Sequence, residues 1–208
     1  MTATPYSKFT LSQLEARYGV SFVRGAFLAG VSPLPVPDWL KTYLELSSDI
    51  PSALKSEKAI SEQTIAPVML AVRDRNRQKI SVFSGEMLTH QDLSGYCDFI
   101  VTANPVSLVP ESPFIIVVEA KQQDLTSGIP QCVAEMIAAR RLNEAAGLQR
   151  DALFGCVTIG SEWLFLQYRD AEVMMHSRVY YLNEVGEILG VFQWMIDAVK
   201  NTKECTTS

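Results

Sequence analysis

Apolar residues along the chain follow two patterns. Dense short runs occupy Ile80–Met87, Phe99–Val101, Phe114–Val118, Leu153–Ile159 and Trp163–Tyr168. Runs of β-branched and aromatic residues bounded by Pro, Asn, Ser or Gly predict buried strands. Leu93–Gly95 reads as a turn, Gly160-Ser161 as a two-residue hairpin turn, and Val179–Leu182 as one more short strand. Helical spacing governs the other segments. It predicts short helices over 10–18, stopped by Gly19, and over 39–46. A longer helix is expected from Ser56 to Arg75, with Ile60, Thr64, Val68, Ala71 and Val72 on one face. Pro67 lies inside it, removes the hydrogen bond to the Gln63 carbonyl and should kink it.

The next helix is expected to begin at Gly128-Ile129-Pro130 with Ser127 as its cap, and to end at Gly147. Its buried stripe is Ile129, Cys132, Val133, Met136 and Ile137. Gln131 and Glu135 share a different face, one turn apart; Glu135 either joins Gln131 or, the preferred reading, stays in solvent. A last helix covers 184–199, with Ile188, Leu189, Phe192, Met195, Ile196 and Val199 as core or as the surface of a homodimer. Ser21–Leu28 is a strand or an irregular turn, and Pro33, Pro35 and Pro37 make an extended connector. Residues 1–50 thus read as an α-rich N-terminal extension. Residues 51–208 read as one α/β domain, a central mixed sheet flanked by helices and closed by the C-terminal helix.

Composition removes several classes. The chain has 208 residues, enough for one domain with a real core, and no apolar run long enough to span a bilayer. Its first twenty residues lack the layout of a secretory signal, so a cytoplasmic location is expected. Four separated cysteines, Cys97, Cys132, Cys156 and Cys205, form no CxxC pair and fit free thiols in a reducing compartment. His90 and His176 have no His or Cys at ligand spacing, which argues against histidine triads. Nucleotide-binding glycine motifs are absent. The net charge is −5, unfavourable for a strong non-specific binder of nucleic acid. Two basic stretches offset this locally. Residues 55–79 carry Lys55, Lys58, Arg73, Arg75, Arg77 and Lys79 against three acids, and 140–150 carry Arg140, Arg141 and Arg150 against Glu144.

The candidate chemistry lies in GYCDFIVTANPVSLVPESPFIIVVEAKQQDLTSGIPQ, residues 95–131. Asp98 opens one strand, and Glu119-Ala120-Lys121 closes the next. Side chains alternate along a strand, so Glu119 and Lys121 share a face about 7 Å apart. Ionisable groups beside an apolar sheet are costly without partners, and a hard metal ion and a phosphate would supply them.

Glu62 on the helix upstream and Gln131 on the helix downstream complete a series: helix acid, strand acid, strand E-x-K, helix Gln. That series, with SEKAISEQTIAPVML, VVEAK and the hairpin SEWLFLQYRD, resembles the PD-(D/E)XK nuclease superfamily. It is most similar to stand-alone relatives of the N-terminal nuclease domain of type I restriction subunits. Cys97 stands where the superfamily name has proline. The resemblance implies a restriction-endonuclease-like fold and Mg²⁺- or Mn²⁺-dependent hydrolysis of a nucleic acid, DNA foremost. It implies Asp98, Glu119 and the Ala120 carbonyl as metal ligands, and Lys121 on the attacking water or the transition-state charge. It also implies Glu62 acting through a water or a second ion, and Gln131 facing the cleft to orient the water or Lys121. Two other readings stay open: a protein on this fold that binds nucleic acid or a partner without cutting, and an assembly subunit using the C-terminal helix.

Overall fold

A computed structural model of the chain describes residues 3–48 and 56–200, excluding the side chain of Lys200. Lys55, Cys205, the polar tail from Asn201 and the expected domain boundary at residue 50 lie outside the described residues.

The architecture is α/β. Among the described residues nine strands form one mixed sheet flanked by helices. In chain order the strands are β1 (Thr4–Pro5), β2 (Ser21–Gly25), β3 (Ser81–His90), β4 (Leu93–Thr102) and β5 (Phe114–Ala120). Then come β6 (Leu153–Thr158), β7 (Glu162–Arg169), β8 (Glu172–His176) and β9 (Tyr180–Tyr181). Their spatial order is β1-β4-β5-β6-β7-β8-β2, with β3 also on β4 and β9 also on β7. The five dense runs all mark strands, with Ile80 and Ile159 falling one residue outside β3 and β6. Leu93–Gly95 does not form a turn: it extends β4, and Gln91, at φ 54°, takes the turn instead. Two or three residues of pairing with β3 outweigh the turn propensity of Ser94-Gly95. The strand Glu172–His176 had no clear signal because Asp170-Ala171 supplies its turn without glycine or proline, both residues at positive φ.

The N-terminal segment carries the helices α1 (Leu11–Tyr18) and α2 (Asp38–Ser48). α1 has a full capping box from Thr10 and Gln13, and Gly19 ends it at φ 66°. The segment also supplies two strands to the common sheet. β2 runs parallel to β8, and β1 parallel to the start of β4. Residues 3–48 are therefore part of the main sheet's hydrogen bonding as well as helices laid on it.

The expected single helix over 56–75 is a composite. α3 (Glu57–Ile60) passes into a π-turn over Ser61–Ile65 and then into α4 (Ala66–Arg75). Pro67 near the start of α4 has no amide hydrogen, and widening the preceding turn accommodates that loss.

α5 (Leu125–Ala145) connects β5 to β6, which are parallel neighbours. It begins three residues earlier than expected. Asp124 caps it by accepting the Thr126 amide at 2.9 Å, and Pro130 sits within the helix. Its stripe Ile129, Cys132, Val133, Met136 and Ile137 is buried on one sheet face. On the other face α4 and α6 (Val185–Lys200) bury Val68, Met69, Ile188, Phe192 and Met195. The apolar stripe of α6 thus lies in the chain's own core, one of the two uses expected of it. Cys97, Cys132 and Cys156 are buried free thiols. Among the described residues no helix is long and apolar enough to cross a membrane.

Candidate active site

In open α/β sheets, functional groups collect where strands end and the crossover helix begins. Here that place is the C-terminal end of β5. Phe99 pairs with Val118 across the antiparallel β4–β5 ladder. One step further along the same register, Asp98 lies opposite Glu119, so both side chains leave the sheet on the face covered by α5. Asp98 Oδ2 accepts the Ala120 amide at 2.7 Å, which ties the β4 acid to the end of β5. Lys121, one residue past the strand, donates its own amide to the Thr158 carbonyl at 2.8 Å.

The Lys121 ammonium holds the cluster together. It donates to Glu119 Oε1 and, at 3.3 Å, to Gln131 Oε1 on α5. Gln131 Nε2 donates in turn to Glu135 Oε1 at 3.4 Å. Gly128 lets α5 approach: a Cβ there would stand 2.6 Å from Val157 Cγ1 and 3.0 Å from Lys121 Cγ.

Glu135 is the residue the sequence misplaces. Expected in solvent, it is 0% exposed, beside Glu119 at 1%. Asp98, Glu119 and Glu135 lie close together, so the charge of one acid works on the pKa of the next. Burial raises all three acids. Glu119 is pushed up to about 7, with the Asp98 charge adding to desolvation. Glu135 stands well above the ordinary carboxylate range, again by burial first and Glu119 second. Asp98 is raised by burial although the Ala120 amide opposes it. Burial works to lower the Lys121 ammonium, but the charge of Glu119 and its hydrogen bond outweigh that and hold it above its ordinary value.

The expected helix acid is replaced. Glu62 is 61% exposed and, among the described residues, pairs only with Lys58, at 3.8 Å. Glu57 is the acid that approaches Lys121, with Oε2 at 3.9 Å from the ammonium. Five residues separate the two acids, about 140° around a helix at 100° per residue, so both cannot face one cleft. Whichever faces Lys121 depends on how α3 enters, and the cap of Ser56 on the Ala59 amide, at 3.1 Å, sets that entry. Asp98, Glu119, Ala120, Lys121 and Gln131 therefore come together, Glu62 does not join them, and Glu57 and Glu135 do.

The donor set is compatible with a hard divalent cation. Glu119 Oε2 is buried, and among the described residues no N–H or O–H donor reaches it. Two adjacent acids with raised pKa values lack positive charge beyond one lysine. Among the described residues no three His, Cys, Asp or Glu side chains are grouped to hold a metal ion. A cation here would thus rest on two carboxylates and a main-chain carbonyl and keep several waters, as Mg²⁺ does. No protein-family model and no curated protein matches the sequence.

Proposed function

We propose that the protein is a metal-dependent phosphodiesterase acting on nucleic acid, DNA foremost, with a restriction-endonuclease-like core. The observation that carries this reading is Asp98 tied to the Ala120 amide beside Glu119 at neighbouring strand ends, with Lys121 bonded to both Glu119 and Gln131. The order of helix acid, strand acid, E-x-K and helix Gln also supports it, with Glu57 in the first position.

Asp98, Glu119 and the Ala120 carbonyl would hold Mg²⁺ or Mn²⁺. When bound, such an ion supplies charge neutralisation at the phosphate and a water of lowered pKa. The chain's own groups have distinct tasks. Lys121 presents a cation next to the carboxylates, where it offsets charge developing on the phosphate oxygens. Gln131 fixes the Lys121 ammonium by accepting from it, so the cation is positioned before substrate arrives. Glu135, buried under α5 and joined to Lys121 through Gln131, keeps a further acid beside Glu119. Glu57, half-exposed, is free to part from Lys121 when a phosphate enters.

The test is cleavage of plasmid and of single- and double-stranded oligonucleotides in Mg²⁺ or Mn²⁺. Wild type should cut and Asp98→Asn should not. Absence of metal-dependent cutting by wild type on every substrate would sink the reading. A second reading, a partner-binding protein on the same fold, draws on the exposed apolar loop after β4, where Val106 and Leu108 are 85% and 96% exposed.

A further inference from the structure

The loop between β4 and β5, residues 103–113, turns apolar side chains to solvent. Val106 and Leu108 are almost fully exposed, and Val109 is 56% exposed. The loop's own polar groups hold this shape. Asn104 Oδ1 accepts the Val106 amide at 3.4 Å, and Ser107 Oγ donates to the Val109 carbonyl at 2.5 Å. Glu111 is its single charged residue. Clustered exposed apolar groups without charge mark surfaces that another protein covers.

Beside this loop lies an open groove of about 680 Å³. Pro110 and Ser112 line it from the loop, Met87 and Thr89 from β3. Phe114 and Leu142 line it as well, with Phe114 buried and Met87 54% exposed. Val109 is bonded to Pro110, so the exposed side chains stand on the groove's own rim. The loop backbone is part of the groove's lining, and Val106 and Leu108 project away into solvent instead of filling it. One chain therefore carries an apolar projection and an apolar recess side by side without joining them.

Two copies can join them. Under two-fold symmetry each loop enters the other copy's groove, both recesses fill at once, and the contact closes at two chains. Charge favours this face over the rest of the surface. Two chains of net charge −5 repel each other, but Glu111 is the one charged side chain in the loop and in the groove lining. The area is also sufficient. Val106, Leu108, Val109 and Met87 together expose on the order of 500 Å², so a pair of copies buries about 1,000 Å² through them, the size at which specific interfaces begin. A loop already held by its own hydrogen bonds loses little freedom on docking.

We propose that this face is an interface between two copies of the chain, made by reciprocal insertion of Val106, Leu108 and Val109 into the groove between Met87 and Pro110. Phe114 at the groove and Ala120 at the acid–lysine cluster are opposite ends of β5, about 20 Å apart. Pairing thus leaves that cluster open, whatever its activity.

The test is sedimentation equilibrium of the full chain over roughly 1–100 μM. Wild type should be a concentration-dependent dimer. Leu108→Glu, in the loop, and Met87→Lys, in the groove, should each weaken pairing about tenfold or more. Both residues are exposed, so melting temperatures of the dilute monomers should match wild type. Mixing the two variants is the decisive arm. A mixed pair keeps one native loop in one native groove and sets Glu against Lys in the other, so it should associate at least tenfold more tightly than either variant alone. A wild type that stays monomeric would leave the loop to a partner of another kind and overturn the proposal. So would pairing that both variants leave unchanged, a mixture no tighter than its components, or assemblies that grow beyond two copies.

Discussion

Lys121 and Gln131 stand ten residues apart in the chain, one past the end of β5 and the other on α5, yet the lysine ammonium donates to the glutamine amide oxygen at 3.3 Å. The contact fixes a cation over two buried acids. Replacing Lys121 with Met keeps the stem and removes the charge. Metal binding should survive, and cleavage should fall by a factor on the order of 10² or more, as for loss of one electrostatic stabiliser. Wild-type cleavage rates in Lys121→Met would show that the reaction occurs elsewhere. Gln131→Ala should act through Lys121 and give a smaller loss, on the order of tenfold. A loss equal to that of Lys121→Met would mean that Gln131 has a direct role.

Metal binding should be visible as stability. An ion that binds only the folded state stabilises it by mass action, and it would also relieve the crowding of Asp98, Glu119 and Glu135. Mg²⁺ or Mn²⁺ should raise the melting temperature of wild type, and Asp98→Asn should abolish the increment. Calorimetric titration gives the same comparison without heating. An equal increment in both proteins would place the ion outside this cluster.

Glu57 and Glu62 separate the sequence reading from the structural one. Glu62 is exposed and bound to Lys58, and exposed pairs contribute about 0–1 kcal/mol. Glu62→Gln should leave cleavage within about twofold of wild type. Glu57→Gln alters the charge facing Lys121 and should change the dependence of rate on metal concentration. If Glu62→Gln is the damaging variant, α3 enters differently in the working protein.

Gly128 offers a test of packing whose sign is diagnostic. Helix propensity alone favours Gly→Ala by about 1 kcal/mol within a helix. At this position the new methyl group would stand 2.6 Å from Val157 Cγ1 and 3.0 Å from Lys121 Cγ. Gly128→Ala should therefore lower the melting temperature and the cleavage rate together. A more stable and equally active variant would show that α5 has room to move off the sheet.

His176 should make stability pH-dependent on the acid side. It is buried against Phe27 and Tyr180, and its Nδ1 has no partner among the described residues. Burial, with Arg178 adding repulsion, holds its pKa below the ordinary 6.5. As pH falls through about 6.5 the unfolded chain takes up a proton that the folded chain resists, so stability is lost in that window and below it. His176→Phe should flatten the decline in melting temperature between pH 7 and 5. Identical slopes in the two proteins would rule out this contribution.

The sequence by itself determined the five densest strands, because dense β-branched runs have few alternatives to a buried sheet. It also determined the ends of α1, through the Thr10 box and Gly19, and the buried stripe of α5, through its 3.6-residue period. Asp98, Glu119 and Lys121 were readable as a group, because strand alternation and neighbouring strand ends constrain where their side chains go. Pairing and packing decided the rest. Leu93–Gly95 became strand through β3, and α5 began early because Asp124 offered a cap. Helical spacing placed Glu62 and Glu57 on different faces, but the π-turn and the entry of α3 chose between them. Glu135 was the least legible, since a glutamate one turn from Gln131 is usually solvated. Only the closure of α5 over the sheet, made at Gly128, brings it down onto Glu119. Local patterns say which face a side chain takes, whereas what meets that face depends on elements distant in the chain.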